Sequence, residues 1–143
     1  VVGWDALLQR FQLKDPLYGR REIWAAGIDM IRDHPWFGVG LGTWVTAYPH
    51  YAFFDLGTVV NAAHSDWLQW AGEGGLVFAC LLLLMAARAL YLGSKMPWGL
   101  GVFFVFLHSL VDFSLQTPSI ILWTVVLLAG LEAGRSREAS AAP

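Results

Sequence analysis

Cysteine, charge and grouped basic residues are all scarce in this chain, and each shortage removes a class of protein. The single cysteine, Cys80, leaves no intrachain disulfide possible. Inside an apolar run it reads as a packed, inert thiol. Charged residues make up 14% of the sequence against 57% hydrophobic, and the mean hydropathy is +0.53, too oily for an ordinary soluble domain. The formal net charge is −2, and Lys and Arg are scattered rather than striped along one face. Nothing offers a basic field to nucleic acid, so no nucleic-acid partner is expected. There is no Asp-x-Asp or His-x-His pair, and neither a metal nor a cofactor is expected. The chain opens Val-Val-Gly-Trp with no initiator Met, no charged segment followed by an apolar one, and no cleavage site. This implies the C-terminal part of a longer protein.

What is present is long apolar sequence and eight tryptophans, whose indole rings favour the headgroup boundary of a bilayer. The expected fold class is an all-α integral membrane protein, with membrane lipids as its surroundings. Residues 1–75 read as a loop region with amphipathic helices. In it Trp4, Leu7, Leu8 and Phe11 recur at i, i+3, i+4, i+7. A second stripe, Ile23, Trp24, Gly27, Ile28 and Ile31, runs from about Arg20 to Asp33 and is stopped by His34-Pro35. Tyr48-Pro-His-Tyr51 and Phe53-Phe54 read as an aromatic loop. Residues 76–132 read as about three membrane helices, near 76–92, 98–113 and 118–132. The first is slightly short of the roughly 20 residues a span needs, and Arg88 near its end can snorkel to lengthen it. Residues 133–143 are polar and small, which predicts a disordered tail.

Arg88, Lys95, Arg135 and Arg137 all flank the same side of these segments, and by the positive-inside rule that side is cytoplasmic. Residues 1–75 then face the exterior or periplasm. His108 and Asp112, four apart and hence on one helix face, approach the same external side as His64.

The stretch Asn61-Ala-Ala-His-Ser-Asp-Trp-Leu-Gln-Trp-Ala-Gly-Glu-Gly-Gly75 puts an imidazole where the apolar sequence begins. With Asn61 as cap, His64 falls in the first turn of a helix. A neutral imidazole can accept a proton from a hydroxyl or orient it; the bland alternative is a histidine satisfied by Asp66 or a backbone carbonyl. Asp66 and Glu73, seven apart with Trp70 between them, share a helix face, either to position His64 and hold a sugar against the Trp70 ring or simply as a solvated face. Nothing fixes the carboxylate separation of a glycosidase pair. Upstream, Gly38, Gly40 and Gly42 alternate, but the dinucleotide spacing G-x-G-x-x-G fails and no strand precedes them. They permit a tight turn and close approach to another segment or to a ligand. Arg20 and Arg21 open the second amphipathic helix, where a guanidinium suits either a lipid headgroup or a diphosphate.

Taken together, Gly19-Arg20-Arg-Glu-Ile-Trp24, His34-Pro-Trp-Phe-Gly-Val-Gly-Leu-Gly-Thr-Trp44, Tyr48-Pro49, Ala63-His64-Ser-Asp-Trp-Leu-Gln69 and Glu73-Gly-Gly75 resemble the O-antigen ligase family of bacterial inner-membrane proteins, which includes polymerases and protein O-glycosyltransferases. The resemblance covers residues 19–131. It departs at Phe78, where the ligase signature has Gly, Thr or Tyr, and both ligase and polymerase stay open. The resemblance implies a many-helix membrane glycosyltransferase of which this chain is a part. It implies a metal-independent, inverting transfer of a glycan from an undecaprenyl diphosphate-linked donor to the hydroxyl of a lipid or protein acceptor, on the periplasmic side. His64 and Arg20 match the family's essential histidine and one of its arginines. Arg21, Gly38, Gly40, Gly42, Asp66, Trp70 and Glu73 are then expected to bind substrate. A non-catalytic scaffold or transporter part is the alternative from another class.

Overall fold

The computed structural model describes residue 3, residues 18–53, residue 57 and residues 59–141. The helix expected over Trp4–Phe11 lies outside the described residues, as does Phe54. Within them the chain is helical and contains no strand. Helix α1 spans Tyr18–Asp33, α2 Trp44–Tyr51, α3 Asp66–Gly93, α4 Pro97–His108 and α5 Pro118–Ala141, with a 3₁₀ turn at Ser114–Gln116 between α4 and α5.

Helix α1 ends where Pro35 forbids continuation, and it buries Ile23, Ala26 and Met30 against Trp44 and Tyr48 of α2 and Ala63 of the following segment. The aromatic loop expected at Tyr48–Tyr51 is instead the end of α2, with Pro49 inside the helix. Burial raises the Tyr48 hydroxyl above its ordinary range, with Glu22 adding to it. Burial and then the Asp33 carboxylate, to which it is hydrogen-bonded, do the same for Tyr51, so α2 is fastened to the end of α1.

Helix α3 is two helices in one run. Gly75 breaks it with φ 71° and ψ −171°, a region open to glycine alone. The arm Asp66–Gly74 precedes the break and the apolar segment Leu76–Gly93 follows it. The segment boundary read at Leu76 is therefore a real break, although the helix as a whole starts ten residues earlier than 76. The Leu76 N–H, orphaned by the break, donates to the Pro35 carbonyl at 2.7 Å.

Beyond Gly75 the apolar segment is about 27 Å long and α4 about 18 Å. The two form a hairpin whose close approach is made by Gly93 on Gly99, with Pro97 at the start of α4. At the far end of α4, the Trp67 indole N–H donates to the Phe106 carbonyl at 2.9 Å and the Asp66 N–H to the Ser109 carbonyl at 2.9 Å. An arm continuing straight from the span would end far beyond that level. It folds back beside the span instead, and Trp67, Trp70 and Phe78 pack on the second core of Leu82, Ala86, Ala89, Leu92, Val102, Phe106, Leu115 and Leu131.

Among the described residues, two helices are long and apolar enough to cross a membrane, Asp66–Gly93 and Pro118–Arg137. Only 28% and 11% of their apolar windows are buried, which separates them from the core helices of a soluble protein. The middle segment, expected at 98–113, is helical only to His108 and is a shorter apolar helix. Asp112 lies past its end. Two more expectations change. Cys80 is exposed rather than packed, on the outward side of the apolar segment. The tail is not disordered from 133, because α5 continues to Ala141. Alanines and arginines propagate a helix already nucleated by apolar sequence.

Arg88 does not simply snorkel. It makes a two-pronged ion pair with Glu132 of α5 through Nε–Oε1 and through Nη2–Oε2 at 2.6 Å, and it lies over the Tyr91 ring, which Arg135 also approaches.

Candidate active site

The segment before α3 carries His64 and is held from both sides. Trp24, one turn after Arg20 on α1, donates its indole N–H to the Ala63 carbonyl at 2.9 Å, and the Ala63 N–H donates to Gln69 Oε1 at 3.0 Å. Between these two fixed points and the start of α3, His64 adopts φ 54°, a left-handed backbone uncommon outside glycine. The cap of α3 is Ser65, whose hydroxyl accepts from the Leu68 N–H at 3.3 Å, and not Asn61. His64 therefore stands just outside the helix rather than in its first turn.

The half-buried His64 ring meets the Phe113 ring edge-on, centroids 5.5 Å apart. No described residue hydrogen-bonds its ring nitrogens. Asp66 is not the orienting carboxylate expected from the spacing. It is fully buried and accepts from the Leu115 N–H at 2.7 Å and the Gln116 amide at 3.1 Å, which locks the turn after α4 onto the start of α3.

Arg20 reaches the same turn. Its Nη1 donates to the Val111 carbonyl at 3.4 Å, two residues from Phe113. The His108 and Asp112 side chains approach each other across that turn, Nε2 to Oδ2 3.4 Å. The structure thus brings Arg20 and His64 to one short segment, residues 108–113, and the Trp24 to Ala63 bond makes the juxtaposition. Arg21 follows on α1 and is exposed.

Glu73, Gly38, Gly40 and Gly42 form a different assembly. The Glu73 side chain is buried, accepting from the Gly42 N–H and the Trp44 N–H at 2.8 Å each and from the Gln69 amide at 3.4 Å. The Val39 and Gly40 N–H groups donate to the Gly72 and Glu73 carbonyls at 3.0 and 2.9 Å. Gly38 has φ 66°, and a Cβ there would run into the Glu73 backbone. The close approach the glycines permit is therefore to the α3 arm, and neither they nor Glu73 line the Arg20–His64 site. The solvated face suggested for Asp66 and Glu73 is corrected in the same way, since both are buried. Trp70 packs edge-on against Phe78 at 5.5 Å and lines an apolar cavity of about 210 Å³ with Leu82, Met85 and Phe106.

Sequence reasoning missed Gln69, which links the Ala63 N–H to Glu73 and so couples the glycine run to the His64 segment. It also missed Phe113. An amide one turn ahead of a buried carboxylate was a signal for Gln69; Phe113 had none, being one of nine phenylalanines.

The sequence model of the O-antigen ligase family matches residues 3–83, a stretch that contains Arg20, the glycine run, His64, Glu73 and the Gly75 break. The chain belongs to the O-antigen ligase family. No curated protein and no solved structure matches it. Membership makes it a membrane protein of polysaccharide assembly, in the class of O-antigen ligase and polymerase glycan transfer, and accounts for helices whose apolar faces are left open. The match ends within α3, so α4, the 108–113 turn and α5 lie outside it.

Proposed function

We propose that the site transfers a glycan from an undecaprenyl diphosphate carrier to an acceptor hydroxyl. His64 acts on the acceptor and Arg20 on the diphosphate. The observation that carries this reading is the pair of bonds that converge on one turn, Trp24 to Ala63 and Arg20 to Val111. They support a reading in which a cation and an imidazole with no described hydrogen-bond partner serve one turn. In the reaction, His64 takes the proton of the acceptor hydroxyl as its oxygen forms a bond to the anomeric carbon. The bond from that carbon to the diphosphate oxygen breaks, and its electron pair leaves with the carrier. Attack from the face opposite the leaving group inverts the anomeric centre. Arg20, always protonated, sits where the leaving charge grows, with Arg21 beside it on α1. On the family resemblance the transfer needs no metal, the chain belongs to the inner membrane as a multi-pass protein, and residues 1–75 face the periplasm. Lys95, Arg135 and Arg137 at the opposite end fit that orientation. A lipid or a protein is the acceptor.

The test is made in cells whose own gene carries His64→Ala or Arg20→Ala. The expected result is a loss of glycan transfer by about 10²–10⁴ for His64→Ala, the range of general-base catalysis, at an unchanged membrane level of the protein. Unchanged transfer in both variants would sink the reading. Ladder growth on the carrier, as against a single transfer to an acceptor, identifies the polymerase branch.

A further inference from the structure

The turn Pro35–Leu41 has no part in the chemistry above; Val39 packs inward against the loop core, while three other side chains are turned outward. Trp36 is 68% exposed, Phe37 79% and Leu41 61%. From Pro35 to Leu41 the sequence contains no charged residue. Three large apolar side chains on one short turn are an unusual expense of exposed surface for a segment in water.

Their position is fixed by backbone. The Pro35 carbonyl receives the Leu76 N–H, the first of the apolar segment of α3. A Cβ on Gly75 would strike the backbone of Trp36, and one on Gly74 would lie 3.2 Å from Leu41 Cδ2. The Gly38 N–H donates to the His34 carbonyl at 3.0 Å, and Val39 and Gly40 donate to α3, so the turn cannot swing away from the helix. It is therefore level with the residue at which α3 becomes a membrane span. Immediately below it α3 leaves Leu76, Val77, Leu81, Leu83 and Leu84 exposed, and the exposed turn continues that apolar surface.

We infer that the Pro35–Leu41 turn is an interfacial anchor, with Trp36, Phe37 and Leu41 seated in the headgroup and upper acyl region of the leaflet that α3 enters. The occupant of this surface is lipid. Trp and Phe favour that layer, and the hydrogen bonds of the turn to α3 and to His34 spare those backbone N–H groups an unmet donor in it. Through Val39 the anchor is tied to Gly72 and through Gly40 and the adjoining Gly42 to Glu73, and through Gln69 to the His64 segment. It sets the height of the site above the bilayer whatever reaction the site performs.

The test attaches an environment-sensitive fluorophore at Phe37→Cys or Leu41→Cys in a Cys80→Ser background of the protein in phosphatidylethanolamine/phosphatidylglycerol vesicles. A label at Leu83→Cys, midway along the apolar segment, calibrates depth. Nitroxide lipids quench from the headgroup, from high on the acyl chain or from deep on it. The expected result is quenching of the turn labels several-fold stronger by headgroup and shallow nitroxides than by deep ones, the reverse order at Leu83, and protection from aqueous iodide. Strong iodide quenching without lipid quenching would place the turn in water and overturn the inference. Quenching by neither would mean that another protein segment covers it, and overturns it equally. Phe37 is the more exposed of the two positions, so its substitution removes little packing and checks the result at Leu41.

Discussion

Glu73 is the residue whose role changes most between sequence and structure. Its two carboxylate oxygens receive three donors, the Gly42 N–H, the Trp44 N–H and the Gln69 amide, with almost no exposure to water. Glu73→Gln puts an NH₂ group against one of those backbone N–H groups. The variant is expected to lose about 2 kcal/mol, the scale of hydrogen bonds to a charged group, seen as a lower unfolding midpoint in detergent. An unshifted midpoint would mean that the glycine run holds its place without the carboxylate. Arg20 and His64 were legible because their residue types and spacing report chemistry. Glu73 was placed among sugar-binding residues because seven-residue spacing identifies a shared face but not what covers it. The glycine run that covers it comes from far upstream, Gly42 lying 31 positions before Glu73. Periodicity carries no information about such a contact.

At the scale of elements, the end of α1 at His34-Pro35 followed from proline chemistry in the sequence. The fold-back of the Asp66–Gly74 arm did not. It depends on Gly75 taking φ 71° and on Asp66 and Trp67 finding partners at the end of α4, neither of which a run of helix-forming residues announces. For the same reason α2 was read as loop. Pro49 argues locally against helix, and packing of Trp44 and Tyr48 in the loop core overrides it. Gly75→Ala tests the break directly. A side chain there is strained by its φ and by the Trp36 backbone, at a cost of about 1–3 kcal/mol. The variant should melt earlier and lose protection from protease within the Pro35–Leu41 turn. An equally stable variant would show that the arm and span do not need this angle.

The described residues form two cores joined through the α3 arm, with α5 lying against α4 and fastened by polar bonds at two levels. At one end Leu115 and Gln116 are held by Asp66; at the other Glu132 is held by Arg88. The pair is part-exposed, 38% and 42%, beside the apolar side chains of Leu84, Met85 and Leu128, and removing one partner leaves the other charge there unpaired. Arg88→Leu alone should therefore lower the unfolding midpoint in detergent, and adding Glu132→Leu should restore much of the loss. A double variant no better than the single one would mean that each residue acts through other contacts, such as the Arg88–Tyr91 stack.

The bond from the Leu76 N–H to the Pro35 carbonyl also joins the loop to the span. A helix entering a bilayer has its first amides uncapped, and here one cap comes from a turn made earlier in the chain. Lipid offers that amide no substitute partner. This cap of the span therefore exists only when the preceding loop has folded against it, which makes loop and span one structural unit.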